Sequence, residues 1–444
     1  MRSDPWFTGV VENDTIYALG SGPLPAAIAV VRMSGPLTRF ALETITGRPL
    51  DPRLLSPRSL RDENGSLIDQ AMAVYLPGPR SETGEDCGEF QIHGGRAILH
   101  RLIDRLEHLG LRQAQPGEFS KRAFLHGKID LVQAEAVADL VAAETEAERR
   151  FAADNLGGRQ SQLYAAWRKR LLHARAMIEA ELDFSDEGDV PGSVAQMVWR
   201  DMRDLSNEMR AHAKGFDRVS LLRDGFEIVI LGAPNAGKST LLNALAERDV
   251  AIVSDEAGTT RDLIEVQLSL GGNRVRLVDT AGLRPEAGKI ESIGIERALK
   301  RAGSAQLVLH LIDLSDPTTA LVPADLEVLT VGNKADLAPQ SATSCDLRVS
   351  AETGEGMDAL LGHLSRRVAE KMGDVGDVLP SRERHIAQIR LASSHLADAL
   401  HNEAPLELRA ESLRLGADAV AAITGAIGTE DVLGAIFSSF CIGK

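Results

Sequence analysis

The residues that could do chemistry begin with Gly232-Ala233-Pro234-Asn235-Ala236-Gly237-Lys238-Ser239, which fits G-x-x-x-x-G-K-[ST]. Glycines let such a loop curl until successive backbone N–H groups converge on phosphate oxygens. Lys238 would reach the β- and γ-phosphates. The Ser239 hydroxyl would hold Mg²⁺, at a helix N-terminus that already favours anions. Gly232, Asn235, Ala236, Gly237, Lys238, Ser239 and Thr240 are therefore the expected phosphate contacts.

Further motifs follow in the order a guanine-nucleotide site needs. Asp279-Thr280-Ala281-Gly282 ends an apolar run. Its Asp can hold a Mg²⁺-bound water, and its Gly N–H can meet a γ-phosphate oxygen. Gly258-Thr259-Thr260-Arg261-Asp262 stands where a switch loop belongs, with Thr260 as a second Mg²⁺ hydroxyl. Asn333-Lys334-Ala335-Asp336 supplies a carboxylate that can accept from guanine's ring N–H and exocyclic amine. Adenine offers neither in that geometry, and leaving buried polar groups unpaired rejects the wrong base by roughly 10⁴ or more. Ser350-Ala351 fits a backbone contact to the guanine oxygen. The expected ligand is GTP.

Ras-type sites place a water-orienting Gln directly after D-x-x-G. Here Leu283 stands there and cannot orient water. Glu291 is the nearest candidate to act through water, although a Glu at a helix start also serves simply to complement the dipole. A further positive charge is needed where activators of other GTPases insert an arginine.

These residues need a strand–loop–helix scaffold. Ile228 to Leu231 reads as a buried strand before the glycine loop. A hairpin follows, Leu263 to Leu270 and Arg274 to Val278 around Gly271-Gly272. Strands at Gln306 to Ile312 and Glu327 to Val331 and a helix from Met357 to Glu370 complete a doubly wound α/β unit. Before it, Ile129 to Leu156 is one alanine-rich, helix-periodic run, followed by helical runs from Gln160 to Leu182 and Ser193 to Lys214. Helical texture resumes at Arg382, Leu406 and Glu430. The expected fold is multidomain, α/β plus α, with a helical domain interrupted by an inserted Ras-like P-loop domain. The expected domains are an N-terminal α+β region (1–128), a helical part (129–224), the nucleotide domain (225–371) and a second helical part (372–444).

Three polar stretches of the N-terminal region read as turns or as site loops: Gly84-Glu85-Asp86, Gln91 to Gly95, and Pro116 to Phe119. Trp167-Arg168-Lys169-Arg170 reads as a solvated helix face, with RNA contact as the alternative. A net charge of −15 excludes a uniformly basic nucleic-acid coat, so an RNA partner needs a local basic patch. The three scattered cysteines suggest neither zinc nor a disulfide framework, which fits a reducing compartment. No signal peptide or apolar run of membrane-spanning length is present, so the expected location is the cytoplasm, without membrane contact.

Taken together, the chain resembles the tRNA modification GTPase family MnmE, also called TrmE. The resemblance covers nearly the whole chain and rests on Asp14 to Ile16, Pro116 to Ala136, the P-loop, Ala257 to Asp262, Asp279 to Arg284, Ile293 to Ala298 and the end, Ile436 to Lys444. It implies an enzyme that works with the FAD-containing protein MnmG to modify the wobble uridine of certain tRNAs at carbon 5. The implied group is carboxymethylaminomethyl or a relative. The implied one-carbon donor is a tetrahydrofolate derivative, in 5,10-methylene or 5-formyl form, bound by a folate-binding N-terminal domain that also forms a homodimer. The resemblance further implies K⁺ in the place of an arginine finger, held by Asn235 with Ser254, Glu256 and Thr259. Ser254 and Thr259 thereby join the expected GTP site. Glu291 aligns with the family's catalytic Glu, and Cys441 with a terminal Cys suspected in the modification chemistry. The implied folate contacts are Arg32, Glu89, Lys128 and Lys444. In one departure, Pro23-Leu24-Pro25-Ala26-Ala27 replaces the family's glycine-rich turn before the strand leading to Arg32. The nucleotide motifs alone would also serve a GTPase switch without modification chemistry, such as a ribosome-assembly factor. Only the N-terminal region and the C-terminal C-x-G-K separate the two.

Overall fold

The computed structural model describes residues 14–183, 193–248, 265–279, 299–317, 326–340, 342–373, 378–427, 430–438, 440 and 443. Contacts divide the chain into two compact units. The first comprises residues 1–138, 155–203 and 391–444, and the second comprises residues 139–154 and 204–390.

The first unit carries a six-stranded sheet in the order β3-β4-β5-β2-β1-β6. Its strands are β1 (Ile16–Leu19), β2 (Ala26–Ser34), β3 (Ser56–Arg61), β4 (Leu67–Leu76), β5 (Cys87–Gly94) and β6 (Arg112–Gln113). All pairings are antiparallel except β1 with β6. The helices α1 (Thr38–Thr46) and α2 (Arg96–His108) bury Leu42, Ile45, Leu102 and Leu106 with Val31, Met33, Phe90 and Ile92 of the sheet. Gln91 to His93 lie within β5 and do not form a turn. Leu24–Pro25 is cis and leads into the first residue of β2.

The helices α6 (Arg159–Asp183) and α12 (Leu406–Thr424) also belong to this unit. They pack along each other although the nucleotide sheet lies between them in sequence, so the helical domain is interrupted by an insertion. The short helices α3 (Glu118–Leu125) and α13 (Glu430–Ser438) meet where Phe437 and Phe440 pack with Leu131 and Ala134.

The second unit holds a six-stranded sheet in the order β12-β11-β10-β7-β9-β8. Its strands are β7 (Phe226–Gly232), β8 (Glu265–Leu270), β9 (Asn273–Asp279), β10 (Leu307–Asp313), β11 (Val328–Asn333) and β12 (Leu347–Arg348). Only β8 runs antiparallel, as the hairpin partner of β9. The strand β10 is buried along its whole length, as expected of a parallel strand covered on both faces. The helices α9 (Lys238–Ala246) and α10 (Met357–Met372) bury Leu241, Leu242, Leu360 and Leu364 against the sheet.

The alanine-rich run 129–156 is not one helix. It splits into α4 (Leu131–Ala142) and α5 (Glu146–Leu156). Thr145 and Glu148 explain the break. The Thr145 hydroxyl accepts from the Glu148 N–H at 3.4 Å, and the Glu148 carboxylate accepts from the Thr145 N–H at 3.1 Å. This reciprocal capping box was present in the sequence as Thr-x-x-Glu. Glu148 also accepts from Arg274 Nε at 2.8 Å, and Phe151 enters the core of the nucleotide sheet, so α5 packs on β9.

His212, on α7 (Ser193–Lys214), carries a pH dependence. Burial lowers its pKa to about 4, against a raising hydrogen bond donated to the Val378 backbone carbonyl and with a further lowering by His385. The folded state keeps His212 neutral while the unfolded chain takes up a proton below about pH 6.5. Unfolding therefore binds protons, and stability falls as pH drops from about 6.5 toward 4. Urea midpoints at pH 7 and pH 5 should show a larger acid loss in the wild type than in His212→Gln. Equal losses would remove His212 as the cause.

Candidate nucleotide-binding site

The C-terminal ends of β7, β9, β10 and β11 bring the phosphate and base motifs together. After β7 the chain turns through the glycine loop and enters α9 at Lys238. Gly237 adopts φ +89°, and a Cβ there would stand 2.3 Å from Asn333 Nδ2, so both backbone conformation and space require glycine. Lys238 is buried, and its Nζ donates to the Gly232 and Ala233 carbonyls at 2.9 Å each. Those bonds arch the side chain over the loop, with the ammonium where phosphate charge would arrive. Ser239 Oγ donates to Asp279 Oδ2 at 3.0 Å. Hydroxyl and carboxylate are hard oxygen donors, which suit Mg²⁺. Asn235 is exposed and holds φ +65°, unusual for a residue with a side chain. Thr240 is also exposed and Ala236 is fully buried.

Asn333 joins the two halves of the site. It is buried, donates through Nδ2 to the Ala236 carbonyl at 2.9 Å, and accepts at Oδ1 from the Ala351 N–H at 3.1 Å. It is therefore a strut between the P-loop and the Ser350-Ala351 loop. Lys334 holds φ +59° and donates through Nζ to Asp313 Oδ2 at 2.6 Å. Burial would push the Asp313 carboxyl up, but bonds from Lys334 and Ser315 outweigh it and hold it below the usual range. Asp313 escaped sequence reading; its signal was an acid ending an otherwise apolar strand. Asp336 is exposed. Ser350 is buried, and its hydroxyl accepts from the Thr353 N–H at 3.1 Å, which shapes the loop.

Ser254, Glu256, Thr259, Thr260, Thr280, Ala281, Gly282 and Glu291 lie outside the described residues, as do Cys441 and Lys444.

In the first unit, Arg32 donates through Nε to Glu89 at 3.2 Å and pairs through Nη1 with Glu82 at 2.8 Å. Its guanidinium lies 5.9 Å from the centre of the Phe119 ring. Lys128 donates to the Pro79 carbonyl at 2.9 Å. Arg32 and Glu89 are thus neighbours across β2 and β5, while Lys128 lies against the loop that follows β4. A Cβ on Gly443 would stand 2.7 Å from the Leu19 carbonyl, which puts Gly443 beside the end of β1.

Two of the three polar stretches converge. Arg122, almost fully buried, pairs with Glu85, Glu118 and Asp14 at 3.0, 3.1 and 2.5 Å. Arg112 pairs with Asp14 and Glu118, each at 2.5 Å. Burial would raise the Glu118 carboxyl, but Arg112, the Gln115 N–H and Arg122 hold it below the usual range. The third stretch does not join them: His93 Nδ1 pairs with Asp69 at 2.8 Å.

The family model for the MnmE helical domain matches residues 131–441, and that for the GTP-binding protein TrmE N-terminus matches residues 15–128. The tRNA modification GTPase MnmE of Mesorhizobium japonicum is 53% identical over 98% of this chain and 100% of its own length. The chain belongs to the MnmE family of tRNA modification GTPases. The MnmE protein of Chelativorans sp. is 51% identical over 97% of this chain and 98% of its own. That of Brucella anthropi is also 51% identical, over 97% and 98%. Among solved structures, the G domain of the T. maritima FeoB iron transporter is 22% identical over 33% of this chain and 98% of that one. Its TM-score of 0.24 leaves the fold argument to the strand order above. As an MnmE-family member the chain is a GTPase acting in tRNA modification. Among the described residues no helix is long and apolar enough to cross a membrane.

Proposed function

We propose that this GTPase modifies the wobble uridine of certain tRNAs at carbon 5, together with an FAD-containing partner of the MnmG type. The group installed is of the carboxymethylaminomethyl kind, with a tetrahydrofolate derivative as one-carbon donor and a homodimer as the working state. The observation that carries the nucleotide half is the Asn333 strut, which ties the phosphate loop to the base loop. Lys238 binds and orients the phosphates, Asp336 selects guanine, and the Ala351 backbone meets its oxygen. Ser239, with Thr260, would hold Mg²⁺, which when bound offsets the charge of the phosphates. Asn235 would hold K⁺ with Ser254, Glu256 and Thr259. Its support is an exposed side chain on a left-handed backbone that makes no hydrogen bond among the described residues. Glu291 orients the attacking water, since Leu283 cannot. The folate half is supported by the Arg32–Glu89 pair, a cation and an acid suited to a pterin and its carboxylate tail. Lys128 and Lys444 complete the folate contacts, Cys441 acts in the modification chemistry itself, and the domains follow the boundaries 1–128, 129–224, 225–371 and 372–444.

Nucleoside mass spectrometry of tRNA from a strain lacking the protein tests the reading. Loss of the modified wobble uridine is expected, and normal modification overturns it. Hydrolysis should run at least about tenfold faster in K⁺ than in Na⁺, which corresponds to about 1.4 kcal/mol of barrier. Equal rates would remove Asn235 from its role. Glu291→Ala should lower kcat roughly 100-fold, the lower end of what a positioned proton acceptor contributes, with nucleotide affinity near wild type. A collapse of affinity instead would make Glu291 structural.

A further inference from the structure

The Trp167-Arg168-Lys169-Arg170 stretch divides in the structure. Trp167 is buried against Tyr164, with ring centroids 5.6 Å apart. Arg170 turns to α7 and pairs with Asp201 at 2.6 Å. Those two residues hold the helix in place. Arg168 and Lys169 turn the other way, toward α12.

There they line a cavity of about 440 Å³ with His173, Leu172, Tyr164, Val420, Ala421 and Thr424. No carboxylate lines it. Arg168 Nε is buried and has no hydrogen-bond partner. Among the described residues none of Arg168, Lys169 or His173 forms an ion pair, whereas Arg175, a turn further on, is taken by Glu179 at 2.8 Å. From Arg159 to Ile178 the helix carries Arg159, Arg168, Lys169, Arg170 and Arg175 and no acid. Arg170 and Arg175 are taken by Asp201 and Glu179, so in a chain of net charge −15 the positive charge at the recess is that of Arg168 and Lys169. A phosphodiester fits this lining, because a guanidinium matches its oxygens and Lys169 adds a point charge. Leu172, 37% exposed, gives the rim an apolar surface against which a sugar can lie.

We propose that this recess between α6 and α12 is a phosphate-binding site for an RNA backbone, with Arg168 and Lys169 as the contact residues. It rests on the tRNA reading above, and names the surface that would hold the tRNA.

The test uses the full chain and an in vitro transcribed tRNA, with binding followed by fluorescence anisotropy between 50 and 200 mM salt, a range chosen because phosphate contacts show there as roughly linear log–log slopes. The double variant Arg168→Ala/Lys169→Ala should bind about tenfold more weakly, with a salt slope shallower by roughly one to two. Its tRNA-free GTP hydrolysis and melting temperature should match wild type. Arg168→Lys/Lys169→Arg should restore most of the affinity, and Arg175→Ala should change it little. An unchanged affinity and slope in the double variant overturns the proposal while leaving the tRNA reading standing. A wild type that binds no tRNA overturns both. Competition by a mononucleotide as strong, per phosphate, as by the transcript assigns the recess to a small ligand. Loss of an acidic protein partner with tRNA binding intact assigns it to a protein. Either result overturns an RNA site.

Discussion

Asn333→Ala is expected to weaken GTP binding at least about 100-fold and to destabilise the nucleotide unit by about 2–4 kcal/mol. The side chain is buried and makes two bonds, to the Ala236 carbonyl and from the Ala351 N–H. Each group left buried without a partner costs about 1–3 kcal/mol. The affinity loss has a separate origin. Without the strut, the phosphate loop and the base loop are no longer held at one spacing, and the ligand must order them when it binds. A 100-fold loss is about 2.7 kcal/mol, of the same order as the bonds removed. Gly237→Ala tests the same contact from the other side, because its Cβ would displace Asn333 Nδ2. The two substitutions should be markedly less than additive in a double-mutant cycle. Calorimetric titration with GTP and urea unfolding measure both effects. Affinity within threefold of wild type in Asn333→Ala would mean the two loops are held by other contacts.

Arg122→Met should destabilise the first unit by about 3–5 kcal/mol, the usual consequence of taking one partner from a buried ionic cluster. Arg122 holds Asp14, Glu85 and Glu118, and so clamps three segments far apart in sequence. Arg112 reaches only Asp14 and Glu118, so Glu85 would keep neither cation. The pH dependence gives the sign. In the wild type Glu118 is held below its ordinary value, so its contribution is present at neutral pH and is lost as pH falls below about 4.3. In the variant the crowded carboxylates resist ionisation, and protonation relieves them. The deficit of the variant against wild type should therefore shrink between pH 7 and pH 5 in calorimetric melts. Adding Glu85→Gln to Arg122→Met should recover part of the loss. A melting temperature within about 1 °C of wild type would show that the cluster contributes no net stability.

The local elements were largely legible. Residues 193–214 and 406–424 form the helices their periodicity implied, and the hairpin turns at Gly271-Gly272. The reading failed where a local signal competed with a longer pattern. The run 129–156 looked continuous because alanine suits a helix at every position, and the capping box at Thr145 was overlooked. In the N-terminal sheet, Phe90 and Ile92 alternate with Gln91 and His93 and face the core, a strand signal that outweighs the turn reading of the polar residues between them.

The sequence by itself determined the nucleotide chemistry. P-loop, D-T-A-G, N-K-x-D and S-A each work through backbone groups or short side chains at fixed local spacing, so their order along the chain already specifies a guanine site. Only the tertiary structure decided which charges are free and which are spent. Arg122, Arg168 and Arg170 are alike in sequence, each an arginine on a helix. The fold buries the first among three acids, leaves the second open on a recess without a partner and pairs the third with Asp201. Ion pairing depends on distances of a few ångströms between segments far apart in the chain, which residue spacing does not encode.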